Sequence, residues 1–594
     1  MNVYVEAEIA GQKHGLQFNR AEVEQSLFAP SRLHLELGFL PENADSVYDK
    51  AMSSWLGESL VLTFGDRADK AVKKKYVGTI TSISLGVGAL VLHAASEDHL
   101  LGAGRKHKSF VEKQVHDIVN EVIKGSVKKH DIKGPSKSLK LRFFHQYDET
   151  DADFLKRLAR YDGCVFYHDG EQFVYDTKLG GRSKVKLSLE DVSNVVLDCA
   201  VATNRWKGVP YDFVKHTDPQ ATQSGSYSPP SHAFVDRTYQ ASKKVYSNAV
   251  DEIYNEPVTS KPDFDTFLKN QQALAAGDFV TAKGRTLHPM VAIGSTIESE
   301  KHAILKNPVA VSALKARYEN NVYSAEFQAV AENTAVHEGE ADPRSNLGLL
   351  QPAIVKDNKD PEKLGRVQIQ YLWDSGGTAL AWARIVHTGA GATKNGKSYG
   401  THFIPGIGNQ VLVGCENGNP SLPIVFGALY HSESKPDFVT DNGTEEVLVT
   451  RTPAESTIRV IDKQGSEEIV VSMKDNKNII RLQMSGPKIT IESVGGTVLV
   501  HSENIQIKAD QKIEMEATDI KMTAKGSISL KADGPSELKS TGKFSIEGTG
   551  GLEVKTPATC TVEGTGGLTL KNAAAQIAMN GPTVSVNNGA LEVM

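Results

Sequence analysis

Residues 541–570 read TGKFSIEGTGGLEVKTPATCTVEGTGGLTL and contain the clearest internal repeat of the chain. The hexapeptide EGTGGL occurs at residues 547–552 and returns, sixteen residues later, at residues 563–568. Apolar residues stand at positions i and i+2 of each unit, and the units follow one another every eight residues. Self-similarity at a fixed period is typical of an architecture built from stacked units.

The same pattern extends through the last quarter of the chain, with a step of seven to nine residues that is most often eight. Residues i and i+2 of a strand point the same way, so each octad predicts a short strand with one aliphatic face and one polar face. Ser536/Leu538 interrupts the apolar series but keeps its register. The apolar pairs are Val471/Met473, Ile480/Leu482, Ile489/Ile491, Val498/Val500, Ile505/Ile507, Ile513/Met515, Ile520/Met522, Ile528/Leu530, Phe544/Ile546, Leu552/Val554, Cys560/Val562, Leu568/Leu570, Ile577/Met579, Val584/Val586 and Leu591/Val593.

The repeat predicts a narrow β-prism with a slim aliphatic core. Residues 441–594 hold one aromatic residue, Phe544, of the 41 in the chain, because a core two side chains wide has little room for rings. One chain could wind three octads into a coil of 24 residues, or three chains could intertwine; the spacing leaves both open. Sixteen layers about 4.8 Å apart would form a rod on the order of 75 Å long. A meander of hairpins would need Asn-Gly or Asp-Gly turns, which are mostly missing.

The 594 residues predict about four domains. Short β-like runs alternate with polar turns in the first 100 residues and return after residue 205, which is typical of barrels or sandwiches. We therefore predict a mainly β protein with five segments. They are a first β-barrel (1–104), an α+β insertion (105–204), a second β-barrel (205–345), a separate β unit (346–440) and the repeat (441–594).

Three helices are predicted within these segments. Ser109 is expected to cap an apolar run that extends from Val111 to Ile123 at helical spacing. Thr150 as N-cap and Gly163 as C-cap bound a second helix. A third helix is expected at about residues 264–276.

The composition argues against several classes of partner and compartment. Lys plus Arg (66) against Asp plus Glu (72) leaves a net charge of −6, so nothing draws the chain to nucleic acid or to anionic lipid. Four separated cysteines suggest neither a zinc cluster nor a disulfide framework. Glu6 and Glu8 stand where a secretory signal needs an apolar core, and no apolar run is long enough for stable membrane association. We expect synthesis in a reducing cytoplasm without a signal peptide.

Several segments resemble a known family. The segment 346–440 closely resembles the OB-fold of the valine-glycine repeat protein G (VgrG) family, the spike proteins of type VI secretion and related contractile injection systems. Residues 146–158 (QYDETDADFLKRL) and 163–167 (GCVFY) look like the hub motif of that family. The OB motifs are KDNKDPEKLGRVQIQYLW (356–373), AWAR (381–384), HFIP (402–405), GNQVLVGCENGNP (408–420) and PIVFGALY (423–430).

The resemblance implies a homotrimer of bacterial origin with two hub barrels per chain, an OB-fold and a triple-stranded intertwined β-helix. It further implies docking on a hexameric tail-tube protein, contact with baseplate proteins, possible effector cargo, and ejection by contraction. Similar spikes carry a PAAR-type tip protein. We expect its binding site at the last residues of the repeat, namely Asn588, Gly589, Ala590, Leu591, Glu592, Val593 and Met594.

The motifs that could suggest catalysis or cofactor binding lack the sequence context that their mechanisms require. GATKNGKS (391–398) matches the phosphate-loop pattern, but the two glycines and the proline that follow leave no place for the helix that the mechanism requires. Tyr371, Trp373 and Arg384 could bind an oligonucleotide or oligosaccharide, although such rings are more often core or subunit contacts. No catalytic residue, metal ligand or cofactor site is predicted. The alternatives are a peptidoglycan-hydrolysing spike, for which the connection between residues 430 and 471 is short, and an adhesive tail fibre with a receptor-binding head.

Overall fold

The computed structural model describes residues 1–13, 18–38, 44–87, 89–135, 138–208, 222–223, 225, 228–248, 250–251, 260–336, 350–374, 380–418, 421–438, 447–586 and 591–593. The chain forms two compact units. Unit 1 comprises Met1–Thr450 and Arg459–Glu468, and unit 2 comprises Arg451–Ile458 and Ile469–Met594. The predicted boundary between residues 440 and 441 lies outside the described residues, and the other domain boundaries stay predictions.

Unit 1 is mainly β, as predicted. Its strands up to residue 331 are β1 (Val3–Ile9), β2 (Gln12–Lys13), β3 (Phe18–Ser26), β4 (Arg32–Gly38), β5 (Ser59–Asp66), β6 (Lys73–Gly86), β7 (Ala89–Ala95), β8 (Arg105–Gln114), β9 (His130–Lys133), β10 (Lys140–Thr150), β11 (Val165–His168), β12 (Phe173–Asp176), β13 (Ser183–Lys186), β14 (Val192–Cys199), β15 (Trp206–Gly208), β16 (Thr222–Gln223), β17 (Val250–Asp251), β18 (Val280–Thr286), β19 (Ser295–Glu298), β20 (Val309–Glu319) and β21 (Val322–Ala331). Its helices are α1 (Ala44–Ser54), α2 (Val115–Ile123), α3 (Asp151–Asp162), α4 (Ala233–Val245) and α5 (Lys261–Ala275).

The strands of the two predicted barrels lie in one continuous sheet of thirteen strands. Its main path runs β14-β18-β21-β20-β3-β4-β7-β6-β5-β1-β2, and β19 joins β13 to β20. The strands assigned to the two predicted hub barrels are thus hydrogen-bonded into one sheet. The pairing of β3 with β20 connects them; it joins positions almost 300 residues apart and leaves no local signal in the sequence.

An ion cluster lies at this junction of β3 and β20. Glu22 is buried and accepts hydrogen bonds from Arg20 and from Arg317 Nε, the latter at 3.0 Å. Lys315 Nζ lies 3.2 Å from Glu22 Oε1. Burial opposes ionisation of Glu22, but the hydrogen bonds from Arg20 and Lys315 outweigh it and lower its pKa to about 2. The cluster therefore ties the strands of the N-terminal segment to those of residues 280–331.

The structure of the α+β insertion confirms one predicted helix and corrects the start of another. Thr150 caps α3 by accepting a hydrogen bond from Asp153 N at 3.1 Å, and Gly163 ends it at a φ of 67°. Ser109, in contrast, is no helix cap: it lies in β8, and its Oγ is 3.0 Å from His145 Nδ1. The helix begins only at Val115. Val111 and Val115 stand four residues apart, as in a helix, but the pairing of β8 with β10 holds residues 105–114 in a strand.

The remaining helices follow ordinary capping rules. Ser260 caps α5 by accepting a hydrogen bond from Asp263 N at 3.2 Å, and a proline stands in its first turn. This confirms the helix predicted at 264–276. The helices α1 and α4 were not predicted.

The OB-fold is present as a closed five-stranded barrel in the order β22-β23-β24-β28-β27. Its aliphatic core includes Val355, Val367, Ile369 and Val411, each at most 1% exposed. The strands of this segment are β22 (Gln351–Asp357), β23 (Val367–Tyr371), β24 (Ala381–Ile385), β25 (Gly391–Ala392), β26 (Ser398–Tyr399), β27 (Gln410–Cys415) and β28 (Pro423–Leu429).

The repeat forms strands at its two ends. Strands β32 and β33 form an antiparallel hairpin, and β34 to β37 form an antiparallel sheet of four strands. The strands after residue 446 are β29 (Val447–Arg451), β30 (Thr457–Ile461), β31 (Glu468–Ser472), β32 (Asn478–Gln483), β33 (Lys488–Ser493), β34 (Leu568–Asn572), β35 (Ala575–Asn580), β36 (Thr583–Val586) and β37 (Leu591–Val593).

Candidate functional site

The most unusual surface of unit 2 is the octad segment, residues 497–567. All of these residues are described, and they form no β-ladder with one another. Their paired apolar side chains from Val498 to Val562 are 53% to 81% exposed. Contiguous apolar surface of this extent is rare on a soluble monomer and marks an interaction site. The octad segment therefore has a backbone without strand partners and a row of exposed apolar side chains.

The two EGTGGL hexapeptides form the same turn. Gly551 N donates to Gly548 O at 3.3 Å, and Gly567 N donates to Gly564 O at 3.2 Å. The φ angles of Gly551 and Gly567 are 120° and 125°, values that residues other than glycine rarely adopt. A Cβ on Gly548 would also lie 2.6 Å from the carbonyl oxygen of Gly551. The sequence repeat is thus a conformational repeat.

The terminal sheet, formed by β34 to β37, places the inward octad positions opposite one another. Leu570 pairs with Ile577, Ile577 with Val586, and Val586 with Leu591. Because paired residues share a face, the octad positions of this sheet form one aliphatic face. Ile577 remains 39% exposed, so this face is only partly covered by its own chain.

The predicted tip-binding residues are only partly described. Asn588, Gly589, Ala590 and Met594 lie outside the described residues. Strand β37 contains Leu591, Glu592 and Val593 and pairs with β36. Leu591 is 57% exposed, which keeps it accessible for a contact.

A buried ion pair closes the first loop of the OB barrel. Arg366 and Asp360 side chains are 1% and 4% exposed, and Arg366 Nη2 donates to Asp360 Oδ1 at 2.6 Å. Asp360 also accepts hydrogen bonds from the backbone amides of Glu362, Leu364 and Arg366. Burial opposes ionisation of Asp360, but the hydrogen bonds from Arg366 and these amides outweigh it and lower its pKa to about 2. Both residues lie in the quoted KDNKDPEKLGRVQIQYLW motif, but their pairing was not predicted.

The aromatic rings of the OB motif form contacts within the chain. Tyr371 is 4% exposed and stacks on Trp373, with ring centroids 4.9 Å apart. Trp373 also contacts His107 of β8 at 5.3 Å and Tyr147 of β10 at 5.2 Å, and its Nε1 donates to Gln351 Oε1 at 2.8 Å. Arg384 is paired with Glu416. Core and contact roles were the favoured interpretation of the rings, and the geometry confirms them.

The phosphate-loop match is a β-hairpin. Gly391 pairs with Tyr399 and Ala392 with Ser398, and Thr393 N donates to Lys397 O at 2.8 Å. Within residues 380–418, which are all described, no α-helix follows the loop. The helix N-terminus that would hold phosphates in this motif is therefore missing.

Because that helix is missing, we expect millimolar MgATP to leave the thermal unfolding midpoint unchanged. Differential scanning fluorimetry of the wild type and of Lys397→Ala, with and without nucleotide, measures this. Micromolar ATP binding that disappears in Lys397→Ala would contradict the hairpin interpretation.

Side chains that commonly bind metals are dispersed in the described part of the chain. Among the described residues, no group of three or more His, Cys, Asp or Glu side chains is placed to hold a metal ion. The four cysteines are free thiols, and Cys164 is buried. No helix in the described part of the chain has the length and apolar character needed to cross a membrane.

Three family models match consecutive blocks of the chain. The phage tail baseplate hub (GPD) model matches residues 30–308, and the type VI secretion system/phage-baseplate injector OB domain model matches residues 351–430. The phage baseplate V C-terminal trimerisation domain model matches residues 541–592, within the repeat. The order of the blocks is the order of the folds described above.

Curated relatives agree with these models. The type VI secretion system spike protein VgrG1b of Pseudomonas aeruginosa is 24% identical over 505 residues, which are 78% of this chain and 66% of the relative. The chain is therefore similar to a VgrG spike protein over most of its length. The actin cross-linking toxin VgrG1 of Vibrio cholerae serotype O1 is 24% identical over 422 residues, 66% of this chain and 37% of that protein. The chain spans between 19% and 66% of the length of the curated VgrG relatives compared.

The fold is also found in a solved complex. The Francisella PdpA-VgrG complex in its lidded form contains a chain with a TM-score of 0.52 and 10% identity. The match covers 83% of this chain and 80% of that one. At this identity the similarity concerns the fold alone, and it extends over most of both chains.

Proposed function

We propose that three copies of this chain form the central spike and hub of a contractile injection system. The observation that carries the proposal is the octad segment: its backbone forms no β-ladder within residues 497–567, and its apolar side chains are exposed. Two further copies supply the missing partners without leaving a free lateral edge. The match of a trimerisation-domain model to residues 541–592 supports this number of chains.

The energetics favour assembly over an isolated extended chain. Burying one aliphatic side chain stabilises by about 1.5–3 kcal/mol. Each octad contributes two such side chains, and three chains contribute six to every layer. Ladders between the chains would also satisfy backbone groups along the length of the octad segment. A rod held in this way is suited to transmit force along its axis.

The partners follow from the place of a spike in such a machine. We infer that the thirteen-stranded sheet and the α+β insertion bind a hexameric tail-tube protein and baseplate proteins. The terminal sheet, with Leu591 exposed, would bind a PAAR-type tip protein. The Francisella PdpA-VgrG complex joins a VgrG chain to a second protein, PdpA, and we infer that the present chain also binds a second protein as effector cargo. We infer synthesis in the bacterial cytoplasm without a signal peptide, followed by ejection on contraction.

The role we propose is mechanical rather than enzymatic. Trp373 and Arg384, the OB side chains best suited to ligand binding, are engaged in protein contacts. The name of the Vibrio relative records a toxin activity for that protein, but the match covers 37% of it. Clearing of a suspension of purified cell walls by the trimer would favour the peptidoglycan-hydrolysing alternative.

Removing Asn588–Met594 is expected to abolish co-purification of a co-expressed PAAR-repeat protein while leaving the trimer mass unchanged. A milder variant, Leu591→Asp, should reduce capture at least tenfold, because it places three charges at the apolar contact. The measurement is affinity capture followed by native mass spectrometry. Thr569→Asp, which puts the same charge on the other face of the terminal sheet, is the matched control. Capture at the wild-type level by the truncated chain would contradict the assigned binding site.

A further inference from the structure

Two inward octad positions carry side chains that are clearly smaller or larger than the usual aliphatic ones. They lie in consecutive units of the repeat. Between residues 528 and 568 the step is eight at every unit. Ser536 carries the smallest inward side chain of this tract, and Phe544, one octad later, carries the largest. Phe544 is 59% exposed in the single chain, so its ring has not found its partner within its own chain. All residues of this tract are described.

The two positions meet between chains if the proposed function is right, and the inference rests on it. In an intertwined trimer each chain moves to the next face with its next octad and rises by one layer. Strands stacked on one face, about 4.8 Å apart, then belong to different copies and are offset by one octad. Phe544 of one copy therefore lies against Ser536 of the adjacent copy. Three rings occupy one layer, and three small side chains occupy the layer beside it.

We propose that Ser536 and Phe544 form a size-complementary pair that sets the register of the three chains. A hydroxyl in an aliphatic row costs free energy, so Ser536 is unfavourable there unless its small size is needed. A slip of one chain by one octad matches aliphatic pairs elsewhere, because the units are alike. At Phe544 the slip sets the ring against a larger side chain and leaves a void at Ser536. Overpacking and cavities both destabilise a close-packed core.

The pair predicts a non-additive double-mutant cycle in the full-length chain. Ser536→Ile should lower the thermal midpoint of trimer dissociation by on the order of 10 °C, because it fills the space that Phe544 needs. Ser536→Ile combined with Phe544→Ile should return the midpoint to within about 3 °C of the wild type. Ser529→Ile, the same exchange on the outward face one octad earlier, is the control and should shift it by less than about 2 °C.

Cysteine cross-linking tests the neighbour relation separately. Oxidised Ser536→Cys/Phe544→Cys protein should yield three covalently linked chains on a denaturing gel without reductant. In a single-chain coil of 24 residues per turn, position 536 would instead lie beside the native Cys560. Ser536→Cys alone would then give a linkage within one chain, and that result would overturn the proposal.

The possible results distinguish a failure of the Ser536–Phe544 pair from a failure of the proposed function. A wild-type chain that is not trimeric would refute the proposed function and the pair together. A trimeric wild type in which Ser536→Ile stabilises, or in which the two substitutions are additive, would overturn the pair alone. Recovery of the midpoint in the double variant, with linkage between chains, supports both.

Discussion

Replacing Ile513 and Met515 with aspartate is expected to break the trimer into single chains. Both side chains stand at inward octad positions and are 53% and 64% exposed in the isolated chain. In the trimer the exchange places six carboxylates in one aliphatic layer, and buried unpaired charge is far costlier than the lost apolar contact. Native mass spectrometry at micromolar concentration should show the trimer population fall at least tenfold. The octad segment should also become sensitive to limited proteolysis.

The outward face of the same octad provides the control. Lys512 and Glu514 flank these positions, are 68% and 70% exposed, and form an ion pair of 2.8 Å. An exposed pair of this kind contributes little. Lys512→Asp should therefore keep the trimer mass and the protease resistance of the wild type. An Ile513→Asp/Met515→Asp chain that stays trimeric and resistant would show that the octad row does not face the other chains.

Asp360→Ala is expected to destabilise the OB barrel by about 3–5 kcal/mol, because it leaves Arg366 buried without its anionic partner. The same exchange removes the acceptor for three backbone amides of the loop. Urea unfolding followed by tryptophan fluorescence measures the effect, since Trp373 and Trp382 lie in this segment. Glu362→Ala, an exposed acidic residue two positions away, is the control and should change stability by less than about 0.5 kcal/mol. Equal stability of both variants would contradict a structural role for the pair.

The same pair makes the barrel sensitive to acid in a defined window. The pKa of Asp360 is held at about 2 in the folded chain, below the ordinary value of 3.8. A carboxyl with a depressed pKa binds fewer protons folded than unfolded, so its contribution is complete above about pH 4 and is lost between about pH 4 and pH 2. The wild-type barrel should lose about 2 kcal/mol of stability in this window. Asp360→Ala should lack that part of the pH dependence.

The repeat could be predicted from sequence alone because its signal is local. A strand of three residues with two aliphatic positions, repeated every eight residues, needs no knowledge of distant contacts. The number of chains could not be obtained in this way, since a single coil and three intertwined chains present the same spacing. The exposed apolar row of residues 497–567 supplied the further argument.

Prediction failed where strand pairing or side-chain contacts involve partners that lie elsewhere in the sequence. Thr150 and Gly163 were correctly assigned as caps because their chemistry acts within four residues. Ser109 was wrongly assigned because the residues after it have helical spacing but are held in β8 by pairing with β10. The pairing of β3 with β20 and the contact of Trp373 with His107 and Tyr147 join segments hundreds of residues apart. Such contacts leave no periodic trace.

The oligomeric state of the full-length chain provides the decisive measurement. Native mass spectrometry of the purified protein should give three times the chain mass of 64.3 kDa, and the species should persist on dilution to nanomolar concentration. The persistence is expected because separating the chains would expose the aliphatic rows of sixteen octads at once. A single species at 64.3 kDa would contradict the intertwined spike and with it the account of the octad segment.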